Sequence, residues 1–138
     1  MKNMKGGMRL RLLTFVIIIA VTGLAAGAWA FESQSSNVQN VRVEVIPVQL
    51  VAGQPAVFKI RMNTHSVELS YDMVKLSTLK DDKGREYQAL KWNGDPPGGH
   101  HRNGALEFQA ITAGVKSITL RIKTIAGVPE RVFEWKLE

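Results

Sequence analysis

The residues best suited to chemistry in this 138-residue chain are its three histidines, His65, His100 and His101. Imidazole is the commonest protein ligand for copper, zinc and nickel. The chain has no cysteine, which excludes disulfides, thiolate zinc sites, iron–sulfur clusters, thiol nucleophiles and Cys-ligated blue copper. A transition-metal site here must use imidazole, with oxygen or thioether as the other donors. His65 lies in Asn63-Thr64-His65-Ser66, and the other two lie in NGDPPGGHHRNG at 93–104. Three neutral imidazoles around one ion make a copper(II) or zinc site. Met62 and Met73 flank the first histidine and would favour copper(I), while Asp72 and Asp95 offer oxygen. By strand phase, however, both methionines fall on apolar faces and read as core. Asn63-Thr64 and Asp95-Pro96 are explained as turn formers. No HxxxH or HxH spacing occurs. Neighbours on an extended strand point to opposite faces, so His100 and His101 share an ion only if their loop is not extended. Gly98-Gly99 before them and Asn103-Gly104 after them allow that.

The elements that must position these side chains read as strands. Val41, Val43 and Val45 alternate with Arg42 and Glu44, the period-two signature of a half-buried strand. Ala56 to Met62 follows, with Phe58, Ile60 and Met62 on one face. Val67, Leu69, Tyr71 and Met73 alternate with Glu68, Ser70 and Asp72, which predicts a third strand. Leu76–Leu79 and Arg85–Trp92 flank Asp81-Asp82-Lys83-Gly84, and the pattern predicts a hairpin. Ala105–Gln109, Ile118–Lys123 and Val132–Leu137 complete the set. Seven or eight short strands separated by turn signals, with no convincing helical period after residue 31, predict an all-β fold. Its expected form is an antiparallel β-sandwich, because no crossover helices are present to make a parallel sheet.

Over residues 41–138 these alternating sets resemble exported immunoglobulin-like or cupredoxin-like β-sandwich domains. The chain lacks the intersheet Cys pair of the first and the Cys ligand of the second, so neither family's functional residues carry over. The resemblance implies a binding role ahead of a catalytic one.

The N-terminus carries an address. Lys2, Lys5, Arg9 and Arg11 precede Leu12–Ala30, a run of 19 uncharged residues ending Ala28-Trp29-Ala30. This order predicts a signal peptide cut before Phe31, with a retained membrane anchor as the alternative. The expected organisation is 1–30 signal or anchor helix, 31–40 linker and 41–138 sandwich. Both versions place the domain outside the cytoplasm: secreted, periplasmic or held on the outer face of the membrane. The four basic residues also account for +4 of the net charge of +6. The remaining +2 is spread among acidic residues, which argues against nucleic-acid binding. Membrane contact is expected only through the N-terminal segment.

No GxSxG, HExxH, phosphate-binding loop or dinucleotide fingerprint occurs, so no enzyme is expected. The favoured expectation is a non-enzymatic exported domain that binds a transition metal, copper ahead of zinc, through His65 with His100 and/or His101. The loops at one end of a sandwich come together, which can bring these stretches to one rim. The alternative is an interaction or structural module of an extracytoplasmic or cell-surface assembly. Its protein partner would dock on a polar-aromatic patch of Tyr71, Trp92, Arg102 and the histidines. Trp92 also reads as a residue of the hairpin core or rim. Arg102 also reads as a solvated loop charge or a surface partner for Glu68, Asp72 or Asp95.

Overall fold

The computed structural model describes residues 31–137. The expected signal or anchor helix at 1–30 lies outside them. The elements are β1 (Gln34–Val38), β2 (Val41–Gln49), β3 (Pro55–Thr64), α1 (Met73–Leu76), β4 (Ser77–Asp81), β5 (Glu86–Gly94), β6 (His101–Ala110), β7 (Ser117–Lys123) and β8 (Glu130–Lys136). A 3-10 turn at Ile125–Gly127 joins β7 to β8. Among the described residues no helix is long and apolar enough to cross a membrane.

All paired neighbours are antiparallel, in the order β1-β2-β3-β6-β5-β4-β7-β8. The all-β expectation therefore holds. The hydrogen bonding, however, runs through all eight strands as one nearly closed sheet, where the sequence suggests two stacked sheets. The strand that makes it continuous is β5. Its first part, Glu86–Gln88, pairs with β4, and from Ala89 it pairs with β6 across a bulge between Ala89 and Lys91. Bulges of this kind let a strand bend from one wall to the next.

Three further expectations change. The linker assigned to 31–40 contains β1, which pairs with β2 from Gln34↔Val45 to Val38↔Val41. Its sequence, QSSNV, has one aliphatic residue and no apolar alternation, so pattern alone hides it. Gln39 and Asn40 turn the pair with φ of 52° and 59°. Left-handed conformation at both central residues is the geometry of the tight hairpin turn whose twist suits paired strands. The strand assigned to Val67–Met73 does not form: 67–72 is irregular and α1 follows. Its alternation has another cause. Leu69 and Met73 are fully buried, while Val67 and Tyr71 pack at the edge of the core, so the segment plugs the end of the barrel. Finally, half of the 93–104 stretch is strand, since β5 extends to Gly94 and β6 begins at His101.

Alternation fills the interior. Phe58, Ile60 and Met62 of β3 face inward with Val41, Val43 and Val45 of β2, Leu106 and Phe108 of β6, and Ile118, Leu120 and Ile122 of β7. Phe58 meets Phe108 edge-on at 5.8 Å and reaches across to Trp135 of β8 at 5.3 Å. These ring contacts tie opposite walls together by buried apolar area.

Side chains complete the closure between β1 and β8. The Gln34 amide donates to the Glu134 carbonyl and accepts the Glu134 N–H at 3.2 Å, which imitates a strand pair. Trp135 Nε1 donates to the Glu32 carbonyl at 2.7 Å. Arg131, 2% exposed, donates to the carbonyls of Val41 at 2.9 Å, Val38 at 2.8 Å and Ser36 at 3.1 Å. Burial pulls the guanidinium pKa below its ordinary value, with Tyr71 opposing. The group still stays charged, because an arginine is not deprotonated at physiological pH. Replacing Arg131 with Met removes the donors from buried carbonyls. We expect a loss of about 2–4 kcal/mol in urea unfolding; an unchanged urea midpoint would contradict this role.

At the far end, the β4–β5 turn is organised by Asp81. Its Oδ1 accepts the N–H groups of Lys83 and Arg85 at 2.9 Å each, and its Oδ2 accepts the Tyr87 hydroxyl at 2.9 Å. Burial alone would raise the Asp81 pKa, but hydrogen bonds from Arg85, Tyr87 and Lys83 together outweigh it. The carboxyl therefore titrates below its ordinary 3.8. A carboxylate depressed in the folded state contributes stability that is complete above its unfolded value and lost as pH falls through the folded one. Asp81→Ala is expected to cost about 2–3 kcal/mol at neutral pH. The gap between variant and parent should narrow as urea unfolding is repeated at pH values below 3.8.

Candidate metal centre

One end of the barrel gathers the β1–β2 turn, residues 64–76, the 95–100 loop and the β7–β8 connection. The histidines belong to this rim. The final residues of β3 pair with both neighbours, Val41↔Thr64 on one side and Asn63↔His101 on the other. The Thr64 N–H donates to the His100 carbonyl at 3.0 Å. Thr64 Oγ1 accepts the N–H groups of Ser66 and Val67, each at 3.3 Å, and so bends the chain at His65. The next segment runs beside the 95–100 loop. Leu69 N–H donates to the Gly99 carbonyl and Gly98 N–H to the Leu69 carbonyl, both at 2.9 Å. Gly98 and Gly99, at φ of 120° and 72°, permit this loop path. The two histidine stretches, separated by 35 positions in sequence, are thus strapped together by backbone hydrogen bonds.

All three histidines are exposed. His101 is the best positioned. Strand alternation sends it to the outer face while Arg102 points inward. Its Nδ1 lies 2.7 Å from Asn63 Oδ1. An amide oxygen only accepts, so Nδ1 carries the proton and Nε2 keeps the free lone pair. His65 lies on the other side of Asn63, in a groove that also includes Arg42. Among the described residues no three of the His, Cys, Asp and Glu side chains gather into a group able to hold one metal ion. The rim therefore brings the histidines into one neighbourhood without closing them into a three-ligand sphere.

The remaining candidates have structural duties. Met62 and Met73 are buried core residues, as their strand phase indicates. Asp72 caps α1, its Oδ1 accepting the Lys75 N–H at 3.2 Å. Asp95 Oδ2 accepts the Asn103 N–H at 2.8 Å, and its carbonyl accepts Trp92 Nε1 at 2.9 Å and Arg102 Nε at 3.2 Å.

Arg102 departs from its sequence reading. It is 2% exposed rather than solvated, so the proposed docking patch loses its cation. Its Nη1 donates to the carbonyls of Leu69 at 3.3 Å and Tyr71, and its guanidinium lies 5.0 Å from the Trp92 ring centroid. Burial pulls its pKa below the ordinary value, with Asp72 and Asp95 opposing. Gly104 gives the Trp92 ring its place, since a Cβ there would overlap the ring. Sequence reasoning also missed Asn63 as the residue orienting His101. Its only signal was its position beside His65.

Comparison with family models, with curated proteins and with solved structures found no match.

Proposed function

We propose that the protein is an exported, non-enzymatic module that takes up a transition-metal ion at this rim, copper ahead of zinc. The His101–Asn63 hydrogen bond carries the reading. Metal-ligating histidines commonly donate their second ring nitrogen to a carbonyl or carboxylate, which fixes the tautomer and aims the other nitrogen. His101 is prepared in that way, and it sits on the strand pair that also holds Thr64 against His100. Its proposed co-ligands are His100 and His65. Two or three protein imidazoles, His65 with His100 and/or His101, leave at least one coordination position to water or to a partner's groups, which suits exchange and delivery.

Export is supported by the basic N-terminal flank followed by the apolar run. The rim is well placed for it. β1 starts at the end where the chain leaves residue 31 and finishes at the Gln39-Asn40 turn on the rim. The histidines therefore lie at the end opposite residue 31. A second reading, an interaction or structural module of an extracytoplasmic assembly, is favoured by the polar groove beside His65.

Titration of the purified domain with copper(II) tests the choice. Saturable binding of one ion is expected. His101→Ala and His65→Ala should each weaken binding, and Asn63→Ala should weaken it by about tenfold through lost orientation. No heat and no spectral change with copper(II), together with no zinc binding, would overturn the metal reading in favour of the second.

A further inference from the structure

On the outer wall beside the rim, a groove of about 540 Å³ is lined by Asn37, Asn40, Arg42, Asn63 and the turn from Thr64 to Ser66. We propose that this groove binds a small molecule bearing an oxyanion, a carboxylate or a phosphate.

Asn37 pairs with Arg42, and Arg42 pairs with Asn63, so three successive strands put their side chains in one row. Alternation faces this row outward, since Val41, Val43 and Met62 on the adjacent positions are buried. The β1–β2 turn brings Asn40 to the end of the row.

Asn63 Oδ1 is committed to His101, which leaves its NH₂ group to donate. Thr64 Oγ1 already accepts two backbone N–H groups, so its hydroxyl proton is what remains. The Arg42 guanidinium makes no side-chain hydrogen bond among the described residues. Its nearest carboxylate oxygen, on Glu44, is 3.9 Å away. That same carboxylate lies 3.6 Å from Arg61, so two guanidiniums flank one acid. No carboxylate lines the groove itself. The Asn63 and Thr64 oxygens are thus occupied, their donors and the Arg42 guanidinium are open, and two guanidiniums stand against one carboxylate. An acceptor-rich anion fits such a site, and an arginine fork matches the paired oxygens of carboxylate or phosphate. The volume falls within the range of small-molecule sites and exceeds that of a bare inorganic ion.

This inference does not depend on metal binding, although His65 borders both places. The test is a nitrogen-15 NMR titration of the metal-free protein with glucuronate, with inorganic phosphate and with glucose. Saturable shifts are expected at Asn37, Asn40, Asn63 and the Arg42 guanidinium with at least one of the two anions and not with glucose. Arg42→Gln should weaken that binding by about tenfold while leaving the copper titration unchanged. Tighter binding of glucuronate would assign the ligand as a carboxylated molecule, and tighter binding of phosphate as a phosphorylated one. Equal shifts with glucose, no saturable shift with either anion, or unimpaired binding by Arg42→Gln would overturn the proposal. Failure of copper binding alone would leave it standing.

Discussion

The arrangement of the rim depends on a cation buried at the end of the barrel. Arg102 points inward from the first turn of β6 and meets the 67–72 segment, which has no ladder of strand hydrogen bonds to hold it. Its guanidinium supplies the missing donors, to the carbonyls of Leu69 and Tyr71 on that segment and of Asp95 on the neighbouring loop. Trp92 covers the group with its ring face. Burying a guanidinium is costly unless its N–H groups find acceptors, and buried carbonyls are costly unless they find donors. The two needs are met together, and the loop conformation is what satisfies both.

Arg131 applies the same device on the opposite side of the same end. It reaches the carbonyls of Ser36, Val38 and Val41 at the β1–β2 turn. Tyr71 lies between the two arginines. Its carbonyl accepts from Arg102, and its hydroxyl accepts the Ala126 N–H at 2.9 Å in the connection to β8. A chain without cysteine thus ties four irregular segments to a regular barrel by charged hydrogen bonds to main chain. The proposed function uses that stiffness. Binding groups on loops act with defined geometry only when the backbone beneath them is fixed. Here Thr64 and Asn63, both on β3, set the positions of His65, His100 and His101 directly.

Much of the barrel was legible in the pattern of side chains. The alternating valines of β2, the Phe58-Ile60-Met62 face of β3, the Asp81–Gly84 hairpin turn and the last two strands all show period two. β1 was not legible because QSSNV buries almost nothing and pairs mainly through main chain. The 67–73 segment misled for the opposite reason. It has strand-like burial, since Leu69 and Met73 plug the interior, but its backbone exchange with a neighbouring stretch is a single pair of hydrogen bonds to Gly98 and Gly99 rather than a ladder. Closure into one sheet depends on β5 changing partners at its bulge, and no local pattern encodes a partner. The shared rim of the histidines was legible from their placement between strands. The orientation of His101 was not, because it depends on a cross-strand register with Asn63. Arg102 was misread because a charge in a Gly-rich stretch resembles solvated sequence until its carbonyl acceptors are seen.

Hydrogen exchange on an Arg102→Met variant reads the dependence of the rim on this buried cation most directly. The amides of Leu69 and Gly98 bridge the two histidine stretches, whereas those of Phe58 and Leu120 report the barrel wall. The variant should exchange Leu69 and Gly98 rapidly while Phe58 and Leu120 keep most of their protection. Full protection at Leu69 and Gly98 without the guanidinium would contradict it.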